Sequence, residues 1–377
     1  MKILRPETPD ALLEKFQTTR RELSESLIER DNEVDLALTA LIAHEHLLLV
    51  SPPGCAKSLL LDSLLQWLDG GSRFNVLLPK FTTLEEVMGP ISLSALKKDR
   101  FRRVTTSRLP EAHLAFVDEV FKASSAILNC LLRILNERTF ENDGEVNPVP
   151  LLLCVAASNE WPSPESGQEL NALADRFLFR KEVRPITSGD GRSRLLWATD
   201  HTPRLSTRVT PAEIHEANRR ANSLPWTDAA KQALEAILRE LAKEGVRPGD
   251  RRQFKGVKAA RAFAWLEGAE RVEPEHLSVL QHVLWDAPEE QPAKCAKVIA
   301  KVANPVGMRV HQLLSECEQI LASCEVKNLS QAATAAAKLG EIERQFAGMK
   351  GNGRLERART YVKDQIRKLK LASLEAV

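Results

Sequence analysis

Asp35–Leu65 reads DLALTALIAHEHLLLVSPPGCAKSLLLDSLL. Its first part recurs at helical period, and His46–Val50 is a short, mostly apolar run of strand length. Ser51–Cys55 is broken by two prolines and a glycine, and an apolar helical pattern resumes at Lys57. Strand, loop and helix in this order are what a phosphate-binding loop requires: backbone N–H groups turned inward at an anion, opening onto a helix N-terminus.

The segment Ser51-Pro52-Pro53-Gly54-Cys55-Ala56-Lys57-Ser58 fits G-x-x-x-x-G-K-[ST] in register, with Ser51 for the first glycine and Ala56 for the second. Gly54 can supply unusual backbone angles, and Ala56 adds only one methyl. Lys57 is placed to reach the β- and γ-phosphates of a nucleotide, and the Ser58 hydroxyl to ligate Mg²⁺. With Leu59 following in the helix, Ser51 to Leu59 form the candidate nucleotide-binding set. A plain Pro/Gly turn before Lys-Ser is the competing reading; the apolar strand before the loop and the apolar helix after it favour phosphate binding.

Further strands are expected at Phe74–Leu78, Leu114–Asp118, Leu151–Ala157 and Phe177–Val183, with helical patterns between several of them and a helix over Asp10–Arg30. Leu114–Asp118 and Leu151–Ala157 are nearly all apolar, as strands buried on both faces of a parallel sheet should be. The fold class is therefore α/β: a parallel sheet with helices on both faces, over residues 1–185. Residues 186–208 are polar and irregular. From 209 to 287 the chain reads as helices punctuated by Pro211, Pro225, Pro248, Pro274 and Pro288, so 186–287 is expected to be an all-α domain. The last segment, 288–377, carries three heptad-like stripes. They are Val306, Val310, Leu313, Cys317, Ile320 and Cys324; Ala335, Leu339, Ile342 and Phe346; and Leu355, Ala358, Val362, Ile366 and Leu369. Three such helices predict a bundle.

Two strand tips carry chemistry. Leu114-Ala115-Phe116-Val117-Asp118-Glu119 ends an apolar strand in two carboxylates beside the phosphate loop: Asp118 can hold Mg²⁺ through water, and Glu119 can orient and deprotonate an attacking water. A solvated acidic turn is the alternative for a lone Asp-Glu pair. Leu151–Ala157 runs into Ser158-Asn159-Glu160, where the Asn159 amide could position the same water; a simple turn is the alternative.

Composition excludes several classes. With 43% apolar and 28% charged residues and a formal charge of +2, the chain is ordinary globular material with no overall polyanion-binding excess. Its only tyrosine, Tyr361, and its 5% aromatic content argue against a stacking platform for single-stranded nucleic acid. Six cysteines are scattered without metal-ligand spacing, the start of the chain lacks the apolar core of a signal peptide, and no apolar run approaches the ~20 residues needed to span a bilayer. A reduced, cytoplasmic setting is expected.

Taken together, SPPGCAKS, the long run from Lys80 to Asn142 (KFTTLEEVMGPISLSALKKDRFRRVTTSRLPEAHLAFVDEVFKASSAILNCLLRILNERTFEN), VAASNEWP and LADRFLFR resemble AAA+ ATPases of the MoxR family, nearest its RavA branch, over residues 10–285. The resemblance implies ATP hydrolysis with Mg²⁺ in a ring of copies, usually six, acting as a chaperone-like motor on a protein client alongside a von Willebrand factor A-domain protein. By position it makes Lys57 and Ser58 the Walker A pair, Asp118 and Glu119 the Walker B pair, and Asn159 sensor 1. Arg176 falls where a trans-acting arginine finger is expected, with Arg180 its rival. Arg251 falls at the sensor 2 position and contacts nucleotide, with Arg252 its rival. Thr82–Pro110 matches the helix-2 insert, which faces the ring pore in relatives. Ser51 and Cys55 depart from the usual loop. The RavA branch carries a β-rich domain inserted in its helical bundle; only Glu325–Ser330 separates the first two bundle helices here, so that partner contact does not carry over. Residues 350–370 hold eight Lys/Arg against two Asp/Glu, which keeps open a nucleic-acid-associated motor as the alternative, with a nucleotide-dependent switch as a third reading.

Overall fold

Strand β1 (Leu47–Val50) is buried at all four positions and lies inside a five-stranded, wholly parallel sheet. The computed structural model describes residues 10–55, 57–162, 168–197, 202–303, 329–349 and 358–367, with 313, 314, 316, 317, 320, 321 and 369. The other strands of the sheet are β2 (Arg73–Leu77), β3 (Leu114–Asp118), β6 (Leu153–Ser158) and β7 (Phe179–Glu182), in the spatial order β2-β3-β6-β1-β7. Each expected strand is present within two residues of its expected bounds. Alternate residues of β1 serve opposite faces, as the period-two geometry of a strand demands. Leu47 and Leu49 pack with α1 (Ala11–Ser26), α2 (Asp31–Ala43), α3 (Lys57–Trp67) and the helices that follow the sheet. Leu48 and Val50 pack with α4 (Leu84–Met88), α6 (Ser125–Glu137) and α7 (Gln168–Arg176).

The chain leaves β1 toward β2 on one side and reaches β7 on the other. The carboxyl edge beside β1 is therefore a topological switch point, where open α/β sheets bind ligands. Register brings three tips to that edge: Val50 lies opposite Ser158, Val117 opposite Ala156, and Leu77 opposite Asp118.

Four elements go beyond the sequence expectations. Residues 186–208, read as irregular, contain helix α8 (Gly189–Trp197). Ser188 caps it, its hydroxyl accepting from Gly191 N–H at 2.9 Å, and the entry to the helix is held by a distant residue: the Glu29 carboxylate accepts from Thr187 N–H at 3.0 Å, from Ser188 N–H at 3.1 Å and from the Ser188 hydroxyl. Strands β4 (Thr139–Asn142) and β5 (Glu145–Pro148) form an antiparallel hairpin. Its turn, Asp143-Gly144, has φ of 59° and 77°, so this Asp-Gly pair was a hairpin signal in the sequence. A short helix, α5 (Leu93–Leu96), lies in the insert, which is tied to the hairpin by Arg100–Asp143 at 2.6 Å and by Arg103 N–H donating to Asn142 Oδ1 at 2.7 Å.

After the sheet come α9 (Pro211–Ser223), α10 (Asp228–Lys243), α11 (Asp250–Leu266), a 3-10 segment (Pro274–His282) and α12 (Gln291–Ala303). Thr210 and Glu213 form a reciprocal capping box at the start of α9, with Pro211 in the first turn. Helix α12, which the sequence division at 287 assigns to the last segment, buries Cys295, Val298 and Ile299 in the same core as α10 and the 3-10 segment. Beyond it, α13 (Leu329–Ala347) presents Ala335, Leu339, Ile342 and Phe346 to Leu313 and Cys317 and to Ala358, Val362 and Leu369. These are members of the three expected stripes; Val306, Val310, Cys324 and Leu355 lie outside the described residues.

Candidate nucleotide site

The phosphate loop leaves β1 at Ser51, which is buried, and enters α3 at Lys57. Gly54 adopts φ +83°, a conformation that an L side chain would strain; a Cβ there would meet no neighbour, so the requirement is the backbone angle and not space. Ala56 lies outside the described residues. The Lys57 ammonium is buried and turned back onto the strand tips: it donates to Ser51 C=O at 2.9 Å and Ser158 C=O at 3.3 Å, and reaches Asn159 Oδ1 at 3.5 Å. Burial lowers its pKa, while Asp118, Cys55 and Glu119 favour its charge. Such an ammonium, held by neutral carbonyls next to an exposed anion-facing helix start, is poised to exchange them for phosphate oxygens. Ser58 is exposed in the first turn of α3.

Asp118 ends β3. Glu119 follows in the left-handed region at φ +53° and donates its N–H to Asp118 Oδ1 at 2.9 Å. The structure thus gathers Lys57, Ser58, Asp118, Glu119 and Asn159 at one edge of the sheet. Hard oxygen donors (the Ser58 hydroxyl and the Asp118 carboxylate) beside a lysine form a donor set that fits a magnesium-bound phosphate chain.

A neighbouring cavity of about 380 Å³ was not legible in the sequence. It is walled by Leu27 and Ile28, by Pro53, Gly54 and Cys55 of the loop, by Leu59, and by Ile186 and Leu195 beyond the sheet. An apolar slot that opens on the phosphate loop suits a purine base. Its walls come from three distant chain segments, so no local motif announces it.

The candidate arginines lie elsewhere. Phe179 at the start of β7 donates its N–H to His46 C=O at 3.1 Å, which places the end of α7, with Arg176, at the amino edge of the sheet. Arg251 is at that edge too: its guanidinium donates to Asn136 Oδ1 at 2.6 Å, and His46 pairs with the adjacent Leu135 C=O at 3.2 Å. His46 to Ser51 spans five strand residues, roughly 16 Å. Arg251 therefore lies away from this chain's own phosphate loop. Arg252 is structural: it is buried and donates to Leu178 C=O at 3.2 Å, Val283 C=O at 3.0 Å and Asp175 Oδ1 at 3.0 Å, with Asp286 at 2.9 Å. Arg180 is buried as well, its guanidinium 4.3 Å above the Trp285 ring, where burial and Arg252 disfavour its charge. It cannot present itself to another molecule from there, whereas Arg176 is partly exposed and meets Asp175 at 3.4 Å.

Comparison with known proteins agrees with this geometry. Residues 14–218 match the family model described as the MoxR domain in the MoxR-vWA-beta-propeller ternary systems, and residues 231–298 match an AAA lid domain. Two uncharacterized proteins of Methanocaldococcus jannaschii are similar, one 39% identical over 78% of this chain and 76% of its own length, the other 35% identical over 88% and 86%. Protein MoxR of Methylorubrum extorquens is 25% identical over 74% of this chain and 88% of its own. A crystal structure of a proposed ATPase from Cytophaga hutchinsonii shares the fold at a TM-score of 0.60, covering 78% of this chain and 95% of that one at 16% identity. The phosphate loop, the acidic tip of β3 and the helical lid are thus parts of one inherited architecture, and the chain belongs to the MoxR family of AAA+ ATPases.

Proposed function

We propose that the chain binds Mg-ATP in this cleft and hydrolyses it to ADP and phosphate. The observation that carries the reading is the convergence of Lys57, Asn159, Asp118 and Glu119 on the carboxyl edge, beside the apolar cavity. In the proposed reaction Leu27, Ile28 and Ile186 exclude water from the base, and the loop amides and Lys57 bind the phosphates. Ser58 and Asp118 hold Mg²⁺, which neutralises phosphate charge. Asn159 orients the attacking water, and Glu119 takes its proton.

Arg251, exposed, and Arg176, partly exposed, support assembly. Arg176 and Arg251 lie at the edge opposite the phosphate loop, so each reaches a nucleotide only when a second copy packs head to tail. Repeated with a rotation that closes, that contact makes a ring. A cytoplasmic ring, six-membered as in AAA+ relatives, acting as a chaperone-like motor on a protein client is the function we infer, RavA-like in kind. The von Willebrand factor A partner is supported by the description of the matching family model. The alternative of a motor on nucleic acid loses support at the C-terminal helix, where Arg359 and Lys363 both pair with Glu343, at 3.1 Å and 3.6 Å.

The test is phosphate release from ATP by the purified chain, with Glu119→Gln and Arg176→Ala, across protein concentration. Wild-type specific activity should rise with concentration. Glu119→Gln should lose about 10²–10⁴-fold and Arg176→Ala about 10³-fold, both retaining ATP binding. ATP binding without turnover at any concentration would leave a nucleotide-dependent switch instead of a motor.

A further inference from the structure

Lys122 has no part in the chemistry above, yet it holds Glu119 twice. It closes the 3-10 turn Val120–Lys122, where its N–H donates to Glu119 C=O at 2.9 Å, and its ammonium meets Glu119 Oε2 at 2.7 Å. Its pKa is raised, first by that hydrogen bond, with the charges of Glu119, Glu160 and Asp118 adding to it. The ammonium therefore sits against the Glu119 carboxylate at the tip of β3, with Asp118 and Glu160 favouring its charge.

We propose that Lys122 is a positioning residue that holds the Glu119 carboxylate off the attacking water and so sets the basal rate of hydrolysis. The proposal rests on the ATPase reading. A carboxylate oxygen engaged by an ammonium does not offer its lone pair to a water, so the pair must open before Glu119 takes a proton. The two side chains are 43% and 24% exposed, which makes the restraint weak. Opening such a pair is expected to change the rate two- to fivefold, or about 0.4–1 kcal/mol at 1.36 kcal/mol per tenfold. Lys122 is thus a throttle that a client or partner can release.

The experiment is steady-state phosphate release and ATP affinity for wild type, Lys122→Met, Lys122→Arg, Glu119→Gln and the Glu119→Gln/Lys122→Met double variant. Lys122→Met should raise kcat two- to fivefold with the Kd for ATP unchanged, and Lys122→Arg should keep the wild-type rate. The double variant should be as slow as Glu119→Gln alone, because the gain passes through Glu119. A merely structural lysine would move affinity and rate together and would not be rescued by arginine. If wild type turns over and Lys122→Met is equal or slower, the restraint is overturned while the ATPase reading stands. If neither turns over although both bind ATP, the ATPase reading fails first and the restraint with it.

Discussion

Arg251 and Arg252 are neighbours at the start of α11, and one peptide unit gives them opposite duties. Arg251 points outward to Asn136, whereas the side chain of Arg252 is only 4% exposed and bridges carbonyls on both sides of the sheet–lid boundary, Leu178 before it and Val283 within the lid. Removing the Arg252 guanidinium takes a donor from those carbonyls and leaves Asp175 and Asp286 only the longer contacts to Arg176, at 3.4 Å, and Arg180, at 3.7 Å. Arg252→Ala should therefore destabilise the chain by about 3 kcal/mol, and Arg251→Ala by less than about 0.5 kcal/mol. Denaturant titration of the two variants measures the difference. Equal losses would show that Arg252 is not the clamp. Nothing in the sequence Gly249-Asp250-Arg251-Arg252 separates these roles, because both residues fit a helix start and burial is decided by segments 31 and 74 residues away.

At the scale of elements, α8 shows where reading the sequence stopped. The strands, the phosphate loop and the acidic tip were legible because each is a local pattern: an apolar run ended by glycine, lysine or carboxylate. Helix α8 shows only a Ser188 N-cap, whose hydroxyl accepts from Gly191 N–H at 2.9 Å, and Thr187 and Ser188 are held in turn by Glu29, 158 and 159 positions earlier in the chain. Glu29 itself takes φ +56°, which turns its side chain across to Ser188. This contact matters for the site because α8 supplies Arg192 and Leu195 to the wall of the base cavity. Glu29→Ala should leave the phosphate loop intact yet loosen that wall. We expect the Kd for ATP and ADP to rise about three- to tenfold with kcat little changed, as for a lost uniform binding contact. Calorimetric titration with both nucleotides checks this; unchanged affinity would remove α8 from the base pocket.

On the scale of the whole molecule, the sheet and the lid share a dependence on neutral histidines. His46 is fully buried where β1 begins. Its Nδ1 accepts from Cys154 N–H at 3.0 Å, so the proton must be on Nε2, which donates to Leu135 C=O at 3.2 Å. Protonating Nδ1 would forfeit the first bond, and burial holds the pKa well below the ordinary value. Burial likewise lowers His44, at the end of α2, to about 4 and His282, in the lid, to about 3. Their unfolded pKa is about 6.5, so below it the unfolded chain binds protons that the folded chain refuses. Their contribution to stability is complete above pH 6.5 and is lost as the pH falls from there toward the folded values. Glu33 and Asp35, raised by burial, act with the opposite sign and offset part of the loss. The net expectation is that the thermal midpoint falls between pH 7 and pH 5, with an uptake of about two protons on unfolding at pH 5. His46→Gln, whose amide can imitate both bonds, should reduce that uptake by about one proton. A midpoint that is flat or rises over this interval would mean that these rings are already charged in the folded chain, and the buried, single-tautomer role of His46 would have to be abandoned.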